Sequence, residues 1–286
     1  MVRGLMRSDD HRRISPQIAT RVLLAPRYFV AVLTIAVLLM PARTFGQGGP
    51  PLITDDPDTP GPGYWEINLA AIVERSLAMR RTEQPVADIN YGVGRRIQLK
   101  FEMPWMRVRE RGQAAVTGPG NTNSGVKWRF LGEEGKRLAW SIYPQLELTS
   151  SSSMSDRDLV DHGPQFLLPT EFTVEIRHIE INGEIGRSFV RSDNDASIYG
   201  ISTEIETRHG LELLGELHGQ QIHAVPAELI VEVGARQKIT RQIMLLMAAG
   251  TGVHGVHEER VRLRIYAGLQ FNLPGQYPFS SRSTFK

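Results

Sequence analysis

Charged side chains at alternate positions of several extended segments are the residues of this 286-residue chain best placed for chemistry. Because successive side chains of a β-strand point to opposite faces, charges two residues apart share one face. The acidic members of this set are Glu204, Glu206, Glu212, Glu216, Glu228 and Glu232. The other members are Lys100, Glu102, Lys127, Arg129, Arg262 and Arg264. We predict that all of them line one polar surface inside the fold, where they could bind or filter a dissolved molecule.

The order of these charges along the chain predicts an electric field across that surface. In a closed ring of about twelve strands, the third and fourth strands lie roughly opposite the ninth and tenth. The acidic segments would then face Lys100, Lys127 and Arg129, and such a field orients dipolar solutes and filters ions. The alternative is that the charges pair with one another and are hydrated in an interior that is effectively filled.

Two other groups of residues have the composition of metal sites but lack the spacing. The loop 254–259 contains two histidines and two glutamates, yet a metal site needs three or four converging ligands. Asp55, Asp56 and Asp58 could bind calcium, but the prolines among them break the spacing of a calcium loop. We therefore predict a solvated loop, a structural leader segment and no cofactor.

Enzyme chemistry has no motif to support it. The run Ser150–Ser153 is a flexible loop by composition, and no nucleophile elbow, nucleotide loop or zinc signature is present. The chain has no cysteine, which excludes disulfides and thiolate sites. Its 33 basic and 31 acidic residues are interspersed, without a basic run that could track a phosphate backbone. The sequence predicts neither an enzyme nor a nucleic-acid partner.

The charged residues belong to segments with a period of two, which indicates two-faced β-strands. The clearest segment is 96–107, whose apolar phase contains Ile97, Leu99, Phe101, Met103 and Trp105. About twelve segments of roughly ten residues follow one another, the length that a tilted strand needs to cross a membrane. Short connections near 92–94, 132–135, 168–170, 208–210 and 238–240 alternate with mostly longer ones.

Three stretches fit this pattern less well. Residues 164–170 are short for a strand, the segment 172–186 changes phase near His178, and 243–247 is apolar on both faces. A β-bulge would explain the change of phase. A section of the interior that is plugged rather than wet would explain the apolar stretch.

A soluble β-sandwich also alternates apolar and polar residues, so the period alone does not separate it from a membrane barrel. The aromatic residues favour the barrel. Trp65, Trp105, Trp140 and Phe271 fall at or near strand ends, where membrane barrels carry aromatic girdles. We predict an all-β fold, a single antiparallel transmembrane β-barrel of about twelve strands, and a soluble periplasmic β-protein is the alternative.

The amino-terminal region indicates export. Arg21 and Arg27 precede the uncharged run 28–40, which is too short to span a bilayer of roughly 30 Å as a helix. This pattern is typical of a signal peptide. We predict a signal peptide over 1–46, a Pro/Gly/Asp-rich periplasmic leader over 47–63, a barrel over 64–273 and a tail over 274–286. The barrel would lie in the bacterial outer membrane, with the membrane lipid and the barrel-assembly machinery as partners.

The segment 51–68, which reads Pro-Leu-Ile-Thr-Asp-Asp-Pro-Asp-Thr-Pro-Gly-Pro-Gly-Tyr-Trp-Glu-Ile-Asn, resembles the opening of a bacterial outer-membrane family. That family is labelled as a meta-pathway phenol-degradation protein. Further motifs follow in the family's order at 88–92, 97–104, 118–120, 125–131, 167–169 and 181–186. The resemblance covers roughly residues 50–273, which is nearly all of the predicted mature chain.

The resemblance implies a barrel that passes or binds small, often aromatic compounds, and it implies no catalytic residue. Two features depart from the family pattern. Asn121 stands where an aspartate is expected, and the chain continues to Lys286 beyond Phe271, although barrels usually end on an aromatic residue. We predict an outer-membrane channel or transporter-like barrel for small solutes, with a charged lumen. A non-conducting structural or surface-binding barrel is the alternative.

Overall fold

The structure is a computed structural model that describes residues 49–133, 137–150, 159, 163–191 and 194–275. Its strand segments are β1 Tyr64–Arg75, β2 Met79–Val93, β3 Ile97–Glu110, β4 Val116–Pro119, β5 Thr122–Leu131, β6 Leu138–Ile142, β7 Gln145–Leu148, β8 Gln165–Ile176, β9 Ile179–Val190, β10 Ala196–Glu206, β11 Leu211–Ile222, β12 Glu228–Lys238, β13 Ile243–His254 and β14 Leu263–Pro274. One 3₁₀ turn spans Arg208–Gly210. Among the described residues, no helix is long and apolar enough to cross a membrane. The predicted signal peptide and most of the predicted tail lie outside the described residues.

Two strands of the barrel are interrupted, so the fourteen segments form twelve strands. β4 and β5 both pair with β3 and make one strand, with a break after Pro119. β6 and β7 both pair with β5 and β8 and make another, with a break at 143–144. β1 pairs with β14 from Tyr64↔Pro274 to Arg75↔Leu263, which closes the sheet. The predicted closed antiparallel barrel of twelve strands is confirmed.

The two rims of the barrel differ in the length of their connections. We call one rim the turn end, because it carries the connections 94–96, 132–137, 177–178, 207–210 and 239–242. The opposite rim, the loop end, carries 76–78, 111–115, 149–164, 191–195, 223–227 and 255–262. In outer-membrane barrels the short turns face the periplasm and the longer loops face outward.

The outer surface of the barrel is apolar along the strands. Trp128, Ile185 and Val233 expose 52%, 59% and 66% of their surface, and they alternate with buried neighbours. In water an apolar surface of this extent would drive association. In a bilayer it is the surface that contacts lipid, so the outward face fits a membrane-spanning barrel and not a soluble one.

Aromatic rings gather near both rims of this surface. At the turn end, the ring centroids of Trp65 and Tyr91 are 4.5 Å apart, and Phe130 lies 5.9 Å from Trp128 and 5.8 Å from Trp140. A stacked phenylalanine pair with centroids 6.2 Å apart joins β8 and β9 near the loop end. Such rings occupy the boundary between the hydrocarbon and the headgroups, which is the arrangement expected of an aromatic girdle.

The change of phase near His178 is a turn, and the predicted bulge is wrong. β8 ends at Ile176 and β9 begins at Ile179, so only two residues connect them. Arg177 has a φ of 62°, the left-handed conformation that tight hairpin turns require. A two-residue turn reverses the chain direction and changes which positions along the sequence are apolar. A β-bulge changes the alternation in the same way, so the sequence pattern alone cannot separate the two.

The predicted short connection at 168–170 is also wrong, because these residues lie inside β8. Proline lacks the N–H of a strand ladder and usually ends a strand. Pro169 is tolerated because its nitrogen faces the break at 143–144 in the neighbouring strand. There the Tyr143 N–H donates to the Pro169 carbonyl at 3.0 Å, and no ladder bond is lost.

The leader enters the barrel from the turn end and returns to it. It contacts β12 near the turn end, then β11 and β9 near the middle of the lumen, and then β5 and β2 on the way back to Tyr64. Gly200 and Gly92 make room for it, because a Cβ atom at these positions would collide with Thr54 and with the Gly61 carbonyl. Residues 49–63 therefore form a plug that lies against the inner wall of the barrel.

Apolar packing holds the inner part of this plug. Leu52 is 5% exposed and belongs to a cluster with Leu214, Leu246 and Tyr266 on the barrel wall. Leu246 is in the stretch that is apolar on both faces, and its inward side chain is fully buried. The apolar stretch thus faces lipid on one side and the plug on the other.

Candidate functional site

Arg236 of β12 anchors the start of the plug. Its guanidinium donates to the carbonyls of Gly49 and Pro50, both at 3.0 Å. A third hydrogen bond, of 2.9 Å, goes to Glu204 on β10. A guanidinium stays charged and presents its donors in a fixed fork, so this buried side chain holds two peptide groups and one carboxylate together.

Two wall glutamates accept hydrogen bonds from the N–H groups of the plug. Glu216 of β11 accepts from Ile53 at 2.9 Å and from Thr54 at 2.8 Å. Glu184 of β9 accepts from Asp55 at 3.0 Å. Buried peptide groups need partners, and a carboxylate acceptor gives bonds about twice as strong as neutral ones. The barrel wall therefore binds the plug largely through its backbone.

Lys127 of β5 is the centre of the opposite wall. Its ammonium lies 3.0 Å from Asp55 and 3.3 Å from Glu171 of β8, and it donates to the carbonyl of Asp56. It also lies 4.7 Å from the ring centroid of Tyr143. The side chain is 1% exposed, so it is a buried cation whose charge is balanced by one carboxylate of the plug and one of the wall.

Arg129, two residues further along β5, holds the returning half of the plug. Its guanidinium contacts Asp58 at 2.5 Å and donates to the Arg95 carbonyl at 2.7 Å. The acidic side chains of the plug thus face the basic residues of β5, and its N–H groups face the glutamates of β9 and β11. This is the orientation that a transverse field in the lumen would favour.

Asp55 and Asp56 differ in protonation because their surroundings differ. Burial raises the pKa of Asp56 to about 6, although Lys127 acts against this shift. Burial also acts to raise the pKa of Asp55, but Lys127 and Lys100 outweigh it and hold that pKa below its usual range. Asp55 is therefore an ionised partner of Lys127. As the pH rises through about 6, ionisation of the buried Asp56 opposes seating of the plug.

Several predicted lumen residues form ion pairs on the acidic wall. Glu204 and Glu212 lie 2.9 Å and 3.7 Å from Arg236, and Glu232 lies 2.7 Å from Arg264. Arg264 is also 3.1 Å from Glu74 of β1. Pairing of this kind satisfies charges that would be costly to bury alone.

The remaining predicted residues lie further from the plug anchors. Lys100 and Glu102 pair at 2.9 Å on β3, and Glu206 and Glu228 are half-buried on β10 and β12. Arg262 does not lie on the lumen wall, because β14 begins only at Leu263. Its side chain is exposed in the preceding loop, which corrects its predicted position.

Sequence reasoning missed two charged residues that bind the plug, Arg236 and Glu184, and also Glu171, which pairs with the plug anchor Lys127. Arg236 follows Glu232 in the same phase of β12, so the alternation contained the signal for it. Glu171 and Glu184 belong to stretches whose phase was obscured, one beside Pro169 and one after the turn at 177–178. The strand pattern, if continued through Pro169 and corrected for that turn, would have placed both glutamates in the lumen.

A cavity that we call the vestibule lies between the plug and the loop end, and both polar and apolar side chains line it. It has a volume of about 580 Å³, and its apolar lining includes Met79, Pro104, Met106, Val108, Ala196 and Ile222. Its polar lining includes Arg81, Glu83, Glu102, Asn121, Asn123, Gln165 and Gln220. An adjoining cavity of about 460 Å³ shares Met79, Arg81, Gln220 and Ile222 with it and reaches Ile53 of the plug. These volumes are in the range of small-molecule sites.

Of the histidine and serine residues that the sequence offers as metal ligands or nucleophiles, His254 and Ser150 form hydrogen bonds to backbone carbonyls. His254 has Nδ1 2.6 Å from the Ala227 carbonyl, and the described residues contain no group of three or more ligands that could hold a metal ion. The hydroxyl of Ser150 donates to the Pro119 carbonyl at 3.1 Å. Ser151–Ser153 lie outside the described residues.

No family model matches this chain, and no curated protein matches it. Among solved structures, it is similar to an outer-membrane channel from Pseudomonas putida F1, with 12% identity and a TM-score of 0.60. The match covers 76% of this chain and 98% of that channel. The fold is that of outer-membrane channels. The KdgM porin is also similar, with 11% identity and a TM-score of 0.52, over 73% of this chain and 99% of the porin.

These comparisons agree with the outward apolar surface and its aromatic rims, and the predicted outer-membrane location is confirmed. The phenol-degradation family label is not confirmed and stays a prediction.

Replacing the anchor Arg236 should loosen the plug. We expect Arg236→Gln to raise the rate of thermolysin cleavage between Leu52 and Ile53 about ten-fold, since the lost charge-assisted bonds contribute at least about 1.5 kcal/mol. Cleavage is measured by mass spectrometry on the folded protein in detergent. Arg262→Gln, in an exposed loop, is the matched control. Equal cleavage of both variants would show that Arg236 does not hold the plug.

Proposed function

We propose that this protein is an outer-membrane channel for small solutes whose lumen is closed by its own leader. The observation that carries the proposal is the cavity that adjoins the vestibule, because its lining includes Ile53 of the plug as well as residues of the barrel wall. A solute in the vestibule is therefore separated from the turn end by a segment held only through noncovalent contacts. Displacement of residues 49–60 would join the vestibule to the periplasmic side.

The contacts of the plug suit reversible closure. They are hydrogen bonds and ion pairs to Arg236, Glu216, Glu184, Lys127 and Arg129. When the plug leaves, these side chains can be hydrated, since water replaces peptide partners at modest cost. One small apolar cluster around Leu52 adds to the closed state.

The lining of the vestibule favours small aromatic or otherwise hydrophobic compounds as the transported solutes. Met79 and Met106 contribute flexible, polarisable side chains that adapt to aromatic rings. Asn121, Asn123 and Gln220 supply amide groups for hydroxyl substituents. A solute with an apolar ring and one or two polar groups would use both kinds of lining.

Swelling of proteoliposomes tests the proposal with two solutes that do not cross lipid, phenyl β-glucoside and methyl β-glucoside. We expect faster swelling with the phenyl compound despite its larger size, because only its ring can use the apolar lining. Planar-bilayer conductance is recorded on the same preparation. Faster swelling with the methyl compound would contradict the aromatic class, and absence of both conductance and swelling in a chain that lacks residues 49–60 would contradict the channel.

A non-conducting barrel is the second candidate. The observation that favours it is that the three basic anchors of the plug, Lys127, Arg129 and Arg236, each form an ion pair with a carboxylate in the closed state. Normal surface exposure of the protein, together with no flux of either glucoside through a chain that lacks residues 49–60, would support it.

A further inference from the structure

A row of arginines crosses the outer face of the barrel at its loop end. Arg75 of β1 pairs with Arg80 of β2, and Arg80 pairs with Arg109 of β3. Arg107 lies two residues before Arg109 on the same face of β3. Cβ atoms of direct cross-strand neighbours are about 5 Å apart, and like charges at this distance repel. The row therefore concentrates positive charge on one outward sector, formed by β1, β2 and β3.

The structure gives these arginines no anionic partner. All four are exposed, and among the described residues none of them forms an ion pair. The acidic residues interleaved with them point the other way: Glu83 and Glu110 line the vestibule, and Glu74 pairs with Arg264. The repulsion within the row is therefore not relieved by side chains of the same face.

In the part of this rim that the structure describes, the other sectors lack such a row. The outward residues at the loop ends of β10 to β13 are uncharged, namely Ser197, Gln221, Leu229 and Val253. On β9 the outward Arg187 lies 3.6 Å from Asp195. Among the described residues, a row of arginines on neighbouring strands thus marks one sector of the barrel and is not a general property of its rim.

The sequence of side chains along β3 places this row at the headgroup level of the membrane. Its outward residues run from Leu99, Phe101 and Met103 to Trp105, and then to Arg107 and Arg109. Apolar residues occupy the hydrocarbon, tryptophan occupies its boundary, and arginine lies in the polar zone beyond it. The loop end faces outward in barrels of this kind, so the row contacts headgroups of the outer leaflet.

We propose that Arg75, Arg80, Arg107 and Arg109 form a binding site for a phosphorylated lipid headgroup of the outer leaflet. Guanidinium groups bind phosphate through two parallel hydrogen bonds, and neighbouring arginines can contact one phosphate from several sides. The bound anion would remove the repulsion within the row. Trp105, which is 49% exposed directly below it, would pack against the upper part of the acyl chains.

Native mass spectrometry of the full mature chain in detergent, titrated with bisphosphorylated lipid A, tests this site. We expect the triple variant Arg80→Gln, Arg107→Gln, Arg109→Gln to bind the lipid at least about ten-fold more weakly. The charge-matched control is Arg95→Gln, Arg177→Gln, Arg241→Gln, whose exposed arginines lie at the turn end. Heat-dependent mobility in gels verifies that both variants are folded barrels.

Three results would overturn the proposal. The first is equal affinity of the unmodified chain and the loop-end variant, and the second is an equal loss in the turn-end control, which would indicate attraction by net charge alone. The third is displacement of the lipid by millimolar inorganic phosphate, which would indicate a site for free phosphate. Dephosphorylated lipid A should bind the unmodified chain as weakly as lipid A binds the loop-end variant. None of these results depends on whether the lumen conducts.

Discussion

A chain that lacks residues 49–60 is expected to show a single-channel conductance at least about ten-fold higher than the unmodified chain, since conductance depends on the narrowest part of the pore. The reason is that these residues fill the middle of the lumen between β5, β9, β11 and β12. The deletion leaves all barrel strands intact, because β1 begins only at Tyr64. The measurement is planar-bilayer recording of both proteins in the same salt solution.

A reversible lock supplies the control for this deletion. The chain contains no cysteine, so Thr54→Cys with Gly200→Cys would introduce one defined pair. A Cβ atom at position 200 would lie 3.1 Å from the Cβ of Thr54, slightly closer than the usual separation of about 3.8 Å in a disulfide. The oxidised pair should keep the conductance low even when Arg236 is replaced by glutamine. High conductance of the oxidised protein would contradict closure by the plug.

Replacement of Lys127 by methionine should be the most destabilising single change in the lumen. The substitution leaves Glu171 and Asp55 buried or half-buried without their shared cation. Removal of one partner of a buried ion pair costs about 3–5 kcal/mol. The midpoint of urea unfolding, followed by gel mobility in detergent, measures the change. Lys238→Met, at the exposed end of β12, should change stability by less than about 0.5 kcal/mol.

A double substitution separates the two sources of this effect. If the loss arises from the unpaired Glu171, then Glu171→Gln should restore part of the stability of the Lys127→Met protein. If it arises from release of the plug, the Lys127 substitution should have little effect in a chain that already lacks residues 49–60. The Lys127→Met substitution is compared in the unmodified chain, in the Glu171→Gln chain and in the chain that lacks residues 49–60. Equal destabilisation in all three would contradict the pairing described for Lys127.

The barrel could be predicted because its signal is local. The apolar and polar residues of β3 alternate from Ile97 to Trp105 because successive side chains of a strand point to opposite faces and one face contacts lipid. The errors also have local causes. A connection at Pro169 is the natural prediction because proline usually ends strands, and the break at 143–144 that tolerates it lies on another strand.

The closure of the lumen could not be predicted in the same way. The bonds from Arg236 to the plug join residues separated by 186 and 187 positions, and the composition of residues 49–60 indicates only an irregular segment. The apolar stretch around Leu246 did indicate a plugged section, but nothing in the sequence named Leu52 as its partner. Contacts between an irregular segment and the inner wall of the barrel produce no periodic pattern in the sequence.

Because the leader is continuous with β1, it acts as a ligand tethered to its own receptor. A tether this short gives an effective concentration of about millimolar or more. A solute that opens the channel by taking over the contacts of Asp55 or Ile53 must compete with a ligand that never diffuses away. Its apparent affinity is its intrinsic affinity multiplied by the fraction of time that the lumen is free. Variants with a weaker tether contact would therefore respond to lower solute concentrations, and in the proposed channel the strength of the Arg236 anchor would set the sensitivity to the solute.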